Sequence, residues 1–100
     1  MNRKIVVLEE AANDIDSAFE FYEEIEFGLG SYFRSCLKDD LLDLGRYPGI
    51  HRIRFGFYQT RCSHFPYSIY YRDRSFNREI GAVLDQRMDP FSIKEKLSER

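Results

Sequence analysis

Apolar residues recur every three or four positions from Ala11 to Leu44, and beyond Pro48-Gly49 the pattern changes to alternation. A period near 3.6 suits a helix with one buried stripe, and a period of 2 suits a strand with one buried face. Helical periods grouped before extended ones define an α+β chain, with helices packed on one side of a sheet.

A short β-branched run, Lys4 to Leu8, reads as a first strand. Ala11, Ile15, Ala18, Tyr22 and Ile25 then form a stripe flanked by Ala12 and Phe19, with Asp14, Asp16, Glu20, Glu23 and Glu24 opposite. This predicts a helix of about 16 residues, roughly 24 Å long. Gly28-Leu29-Gly30 breaks it. Phe33, Leu37, Leu41 and Leu44 restart the spacing, with Tyr32, Cys36 and Leu42 widening the stripe until Tyr47-Pro48-Gly49. Strands are expected at about Tyr58 to Ser63, Tyr67 to Arg72 and Arg78 to Gln86, with a short extended piece near Ile53. Asp73 to Asn77 is the turn between the last two strands. Asp89-Pro90 has the form of an N-cap followed by a helix-compatible proline, and Phe91, Ile93, Lys94 and Leu97 continue a short terminal helix. The resulting order is β-α-α-β-β-β-α, a helical hairpin on one face of a mostly antiparallel sheet.

At 100 residues, 43% hydrophobic and 16% aromatic, the chain has material for one core, so residues 1–100 are expected to form a single domain. With 32% charged residues and no apolar run approaching the ~18 residues of a membrane span, it is expected to be soluble and to have no membrane partner. The apolar stretch after Met1 is too short for a signal peptide. Cys36 and Cys62 fit no metal-ligand spacing and are expected to be reduced, packed thiols of a cytoplasmic protein. His51 and His64 lie at turns, with no HxxxH spacing and no neighbouring cysteine to suggest a metal site. The net charge of -2 is divided unevenly: five cations face eleven acids up to Ile50, and ten face six from His51 onward. The basic C-terminal half is suited to an acidic partner or to nucleic acid.

The last third carries a recognisable wording. Phe65-Pro66-Tyr67-Ser68-Ile69-Tyr70-Tyr71 is followed by the apolar strand Ala82-Val83-Leu84 and then by Asp85-Gln86-Arg87-Met88-Asp89-Pro90. This resembles the RelE/ParE superfamily of small bacterial toxins, whose members often end in "FPY-x-I-x-Y", a hydrophobic strand and "H-x-R-R-D-P". Asp85 stands at the histidine of that phrase and Met88 at its second arginine. The Ala11/Asp14 helix, Phe33 and Pro48 extend the resemblance over essentially the whole chain. It implies the α+β fold already read from the periods, and no cofactor.

Strand alternation divides the sheet into two faces. Tyr58, Thr60, Cys62, Tyr67, Ile69, Tyr71, Ile80, Ala82 and Leu84 are expected beneath the helices. Gln59, Arg61, Ser63, Ser68, Tyr70, Arg72, Gly81, Val83, Asp85 and Arg87 are expected on an open face, unless a bulge at Pro66 shifts one strand. In ribonuclease members of the superfamily this open face holds the substrate. Such a site needs cations for the phosphorane and groups to move protons. Arg61 and Arg87 are the candidate cations, and Tyr70 and Asp85 the candidate proton carriers. A cross-strand pair between those arginines and Asp85 accounts for the same residues without catalysis. Phe55, Phe57 and Tyr58 between Arg52, Arg54 and Arg61 resemble the interleaving of rings and cations that grips single strands, and equally a core flanked by solvated arginines.

Nuclease members present a denser set of cations than this chain, which has no lysine between Lys38 and Lys94. The resemblance therefore points first to a ParE-like, plasmid-stabilisation toxin of a type II toxin-antitoxin pair. Such a protein is neutralised by a small cognate antitoxin and poisons DNA gyrase by binding, here with Arg52, Arg54, Arg61, Arg72 and Arg87 as binding residues. The alternatives are a ribosome-dependent mRNA endonuclease using Arg61, Arg87, Tyr70 and Asp85, and a non-toxic homologue that keeps only antitoxin binding.

Overall fold

The computed structural model describes residues 3–46, 49 and 51–100. Strand β1 (Lys4–Val7) leads into helix α1 (Glu9–Ile25) and helix α2 (Leu29–Arg46). Strands β2 (Arg52–Arg54), β3 (Phe57–Arg61), β4 (Tyr67–Arg74) and β5 (Asn77–Asp85) follow, and helix α3 (Pro90–Ser98) closes the chain. The α+β hairpin-on-sheet arrangement is therefore as read from the sequence, and the extended piece at Ile53 is a strand of the sheet. The expected stop at Tyr47-Pro48 lies outside the described residues, as do Met1, Asn2 and Ile50.

The sheet order is β1-β5-β4-β3-β2. Strands β2 to β5 are paired antiparallel, and β1 runs parallel to β5, with Ile5 opposite Arg78 and Val7 opposite Ile80. Helix α1 begins without a side-chain cap, but Glu9 and Glu10 place negative charge in its first turn, where the helix dipole favours it. The break between the helices comes at Glu26 to Gly28, earlier than the expected Gly28-Leu29-Gly30, because Gly30 belongs to α2. A Cβ on Gly30 would lie 2.6 Å from the Phe19 carbonyl oxygen, so this glycine permits close approach of the two helices. The Glu23 carboxylate accepts from the N–H groups of Gly28 and Gly30, both at 2.9 Å, so α1 supplies acceptors to the turn and to the start of α2.

Ala11, Ala18 and Tyr22 of α1 and Phe33, Leu37 and Leu44 of α2 pack on Tyr67, Ile69, Tyr71, Ile80 and Val83. Each such side chain fully removed from water contributes about 1.5–3 kcal/mol for the larger residues. Phe65 adds edge-on contacts to Tyr22 and Phe33, with ring centroids 4.9 and 5.2 Å apart. Ile25, the expected end of the α1 stripe, is 62% exposed. On the opposite side of the sheet, α3 sets Ile93 and Leu97 against Phe57, Tyr70, Ala82 and Leu84. Asp89 caps α3 as expected, accepting from the Ser92 N–H at 2.9 Å.

Candidate functional site

The two faces of the sheet do not divide as simple alternation predicts. Tyr70 pairs with Ala82 and Tyr71 with Ile80, leaving Gly81 as an extra residue in β5. One inserted residue rotates everything beyond it to the other side. Val83, expected on the open face, therefore packs beneath the helices, while Ala82 and Leu84, expected beneath the helices, lie under α3. The slip occurs at Gly81 and not at Pro66, where alternation had left room for one.

This bulge also separates the candidate catalytic residues. Asp85 pairs with Tyr67, which faces the helical hairpin, whereas Arg61 pairs with the adjacent Ser68 and thus lies on the α3 side. Arg61 and Tyr70 accordingly belong to one face, and Asp85 with its partner Arg87 to the other. Arg87 Nη2 donates to Asp85 Oδ2 at 2.7 Å, Arg87 Nε donates to Oδ1 at 3.0 Å, and the Arg87 N–H donates to the same Oδ1 at 2.8 Å. The bidentate guanidinium holds the Asp85 carboxyl below the usual carboxylate range. The pair is formed within one turn and does not cross between strands.

Tyr70 is only 1% exposed. Its hydroxyl accepts a long bond, 3.3 Å, from Gln59 Nε2, which also donates to the Ser68 hydroxyl at 3.1 Å. Burial pushes the Tyr70 phenol up, away from proton transfer near neutral pH. The Cys62 thiol is driven up to about 12, chiefly by burial and then by the Asp40 charge, which leaves it protonated and unreactive.

The binding candidates fall into a clearer pattern. Arg52 pairs with Gln59 and Arg54 with Phe57, so both share the α3 side with Arg61. Arg52, Arg54, Gln59, Thr60, Arg61 and His51 border one shallow concavity. Among the described residues, no carboxylate lies within ion-pair distance of Arg52, Arg54 or Arg61, although Arg3, Arg34, Arg74, Arg78, Arg87 and Arg100 are all paired. Arg72 is committed locally: its guanidinium lies over the Phe57 ring at 3.9 Å, and its Nε donates to the Gly56 carbonyl at 3.2 Å. Of the five binding candidates, three therefore lie together at the β2–β3 hairpin outside any ion pair among the described residues, with Asp40 and Asp43 bordering a second concavity beside Arg61. Arg72 braces that hairpin, and Arg87 sits across the sheet.

Three groups escaped the sequence reading. Buried Arg78 donates to Asp73 at 2.7 and 3.2 Å and to the Leu44 carbonyl at 2.9 Å, and its guanidinium lies 4.7 Å from the Tyr71 ring centre. The Tyr71 hydroxyl is in turn hydrogen-bonded to His51 Nδ1, so one polar chain ties β5 to α2 and to the entry of β2. Asp14 and Arg100 meet at the Gly81 bulge. Ser63 Oγ contacts Asp40 Oδ1 at 2.7 Å and His64 Nδ1 at 2.8 Å. There the serine, not the imidazole, sits between the other two groups, the reverse of a nucleophilic triad. None of the three left a trace in the sequence pattern, because each depends on contacts between residues distant along the chain.

No family model matches the sequence, and no curated protein does. The fold is RelE/ParE-like. A solved chain described as the "Chromosomal ParDE TA system from P. aeruginosa" superposes with a TM-score of 0.72 at 14% sequence identity, covering 83% of this chain and 95% of that one. Among the described residues, no helix is long and apolar enough to cross a membrane, and no group of three or more His, Cys, Asp or Glu side chains is arranged to hold a metal.

Proposed function

We propose that this chain is the cytoplasmic toxin of a type II toxin-antitoxin pair, neutralised by a small antitoxin and acting by binding to DNA gyrase. The observation that carries the reading is the fold shared with the ParDE system over nearly the whole of that chain. Its preference for binding over catalysis draws support from two side chains. Tyr70 is sealed beneath α3, and Asp85 is occupied by Arg87 with its carboxyl held acidic, so neither is poised to exchange protons with a ribose hydroxyl. The free arginines at β2–β3 are suited to a partner of opposite charge.

Expression of the chain alone from a tightly repressed promoter, with pulse-labelling of DNA and protein synthesis after induction, tests this. Early loss of DNA synthesis is the expected result. Early loss of protein synthesis would instead indicate a ribosome-directed nuclease, and no effect on either would indicate a non-toxic relative.

A further inference from the structure

The last strand in the sheet order, β2, is an edge, and its surroundings specify what can pair with it. Arg54 and Phe57 close a two-residue turn in which Phe55 and Gly56 have φ of 53° and 85°, the signature of a type I′ hairpin. The closing pair of such a turn is hydrogen-bonded, so antiparallel alternation turns the N–H and C=O of Ile53 outward. The Ile53 side chain shares the helical-hairpin side with Tyr58 but is 67% exposed. Arg52 and Arg54 flank it on the other side, next to Arg61, without a carboxylate partner among the described residues.

We propose that β2 is the docking edge for an extended acidic peptide segment of a partner protein, added as a sixth strand with the local pattern acid–apolar–acid. The apolar residue lies opposite Ile53 and exchanges main-chain hydrogen bonds with it, which places the flanking acids opposite Arg52 and Arg54. This rests on the toxin-antitoxin reading only in naming that partner as the antitoxin.

Two other occupants fit less well. A second copy of the chain, pairing β2 with itself, would bring arginines opposite arginines. A single-stranded nucleic acid would use the cations but needs open ring faces for its bases. Phe57 is 3% exposed beneath Arg72 and Tyr70 is 1% exposed, which leaves Phe55, 37% exposed with its ring 5.1 Å from the Arg54 guanidinium, to stack a base. The opposite edge, β1, carries a single cation, Lys4, and is followed after Leu8 by Glu9 and Glu10, the wrong sign for an acidic segment.

The test uses the intact chain and synthetic peptides, followed by amide NMR and hydrogen exchange. The peptide Thr-Thr-Glu-Ile-Glu-Thr-Thr is expected to shift the β2 resonances and to slow exchange of the Ile53 amide. Its Lys-Ile-Lys counterpart, and the same peptide N-methylated at isoleucine, are expected to do neither. In the protein, Arg52→Glu with Arg54→Glu is expected to weaken binding roughly tenfold or more, and Ile53→Pro to remove it, since that substitution deletes an outward N–H and no bond to β3. Equal binding of the N-methylated peptide, unchanged exchange at Ile53, tighter binding of oligothymidylate at the same arginines, or concentration-dependent self-pairing through β2 would each overturn the proposal. These readouts are independent of toxicity, so a failure here leaves the pulse-labelling result intact, and the reverse also holds.

Discussion

The Asp14 carboxylate closes the gap that the bulge opens in front of Val83. Its Oδ2 accepts from the Val83 N–H at 3.0 Å, and both of its oxygens receive the Arg100 guanidinium, at 2.5 and 3.1 Å. Arg100 also donates to the Gly81 carbonyl at 3.2 Å, so side chains from α1 and from the residues after α3 take up the backbone groups that the irregular ladder releases.

Asp14→Ala should therefore cost more than an ordinary surface ion pair. It strands the buried Val83 N–H and takes the nearer carboxylate from an arginine only 11% exposed, leaving that arginine with Glu10 at 3.5 Å, a combination worth about 2–4 kcal/mol. Asp14→Asn keeps an acceptor for Val83 and should lose roughly half as much. Urea titration of both variants beside the parent checks the order, and an alanine variant within ~0.5 kcal/mol of the parent contradicts it.

Gly81→Ala tests the bulge from the other direction. A Cβ there would stand 2.8 Å from Phe57 Cε2, and that ring is held beneath Arg72. Overpacking of this kind costs about 1–3 kcal/mol. Pairing it with Phe57→Leu should recover part of the loss in a double-mutant cycle, whereas strictly additive effects would place the strain elsewhere.

His51 gives the protein a stability step on the acid side of neutrality. Burial, assisted by the Arg78 charge, lowers its pKa from the ordinary 6.5, so the unfolded chain takes up the proton first. Stability contributed by neutral His51 is complete above the unfolded value and declines as pH falls from about 6.5 toward the lower folded value. The Asp85 and Asp89 carboxyls, also depressed, act in a separate window below their ordinary 3.8. His51→Gln should flatten the upper step alone in melting temperatures recorded from pH 7.5 to 4.5; an unchanged slope would exclude His51 as its source.

Tyr70→Phe removes a phenol that accepts a 3.3 Å hydrogen bond from Gln59, and should cost about 1 kcal/mol of stability. For a binding toxin, growth inhibition at matched soluble level should persist. A loss of inhibition by orders of magnitude, with the fold intact, would assign the hydroxyl to catalysis.

The helices and strands were readable because each carries its own period: Phe33, Leu37 and Leu44 announce α2, and Asp89-Pro90 announces α3. The faces were not, since parity counted along β5 holds only to Gly81, and a glycine does not by itself declare a bulge. The same slip explains why Asp85 and Arg87 were grouped with Arg61 and Tyr70. The covering of Tyr70 by α3 depends on how Ile93 and Leu97 dock, and the Asp14–Arg100 contact joins residues 86 positions apart, beyond the reach of local pattern. The basic charge of the C-terminal half was legible; that Arg52, Arg54 and Arg61 stay outside any ion pair among the described residues while Arg87 and Arg100 are paired could be learned only from geometry.

Parallel pairing of β1 with β5 sets Ile5 beside Arg78, so strand β1 is completed by a strand that lies beyond both long helices in the chain. Closing so long a loop is slow. During translation the growing polypeptide must wait with its sheet unfinished until β5 has left the exit tunnel. Strand β1 therefore has no sheet to join until β5 is in place, which makes its pairing a late step of folding.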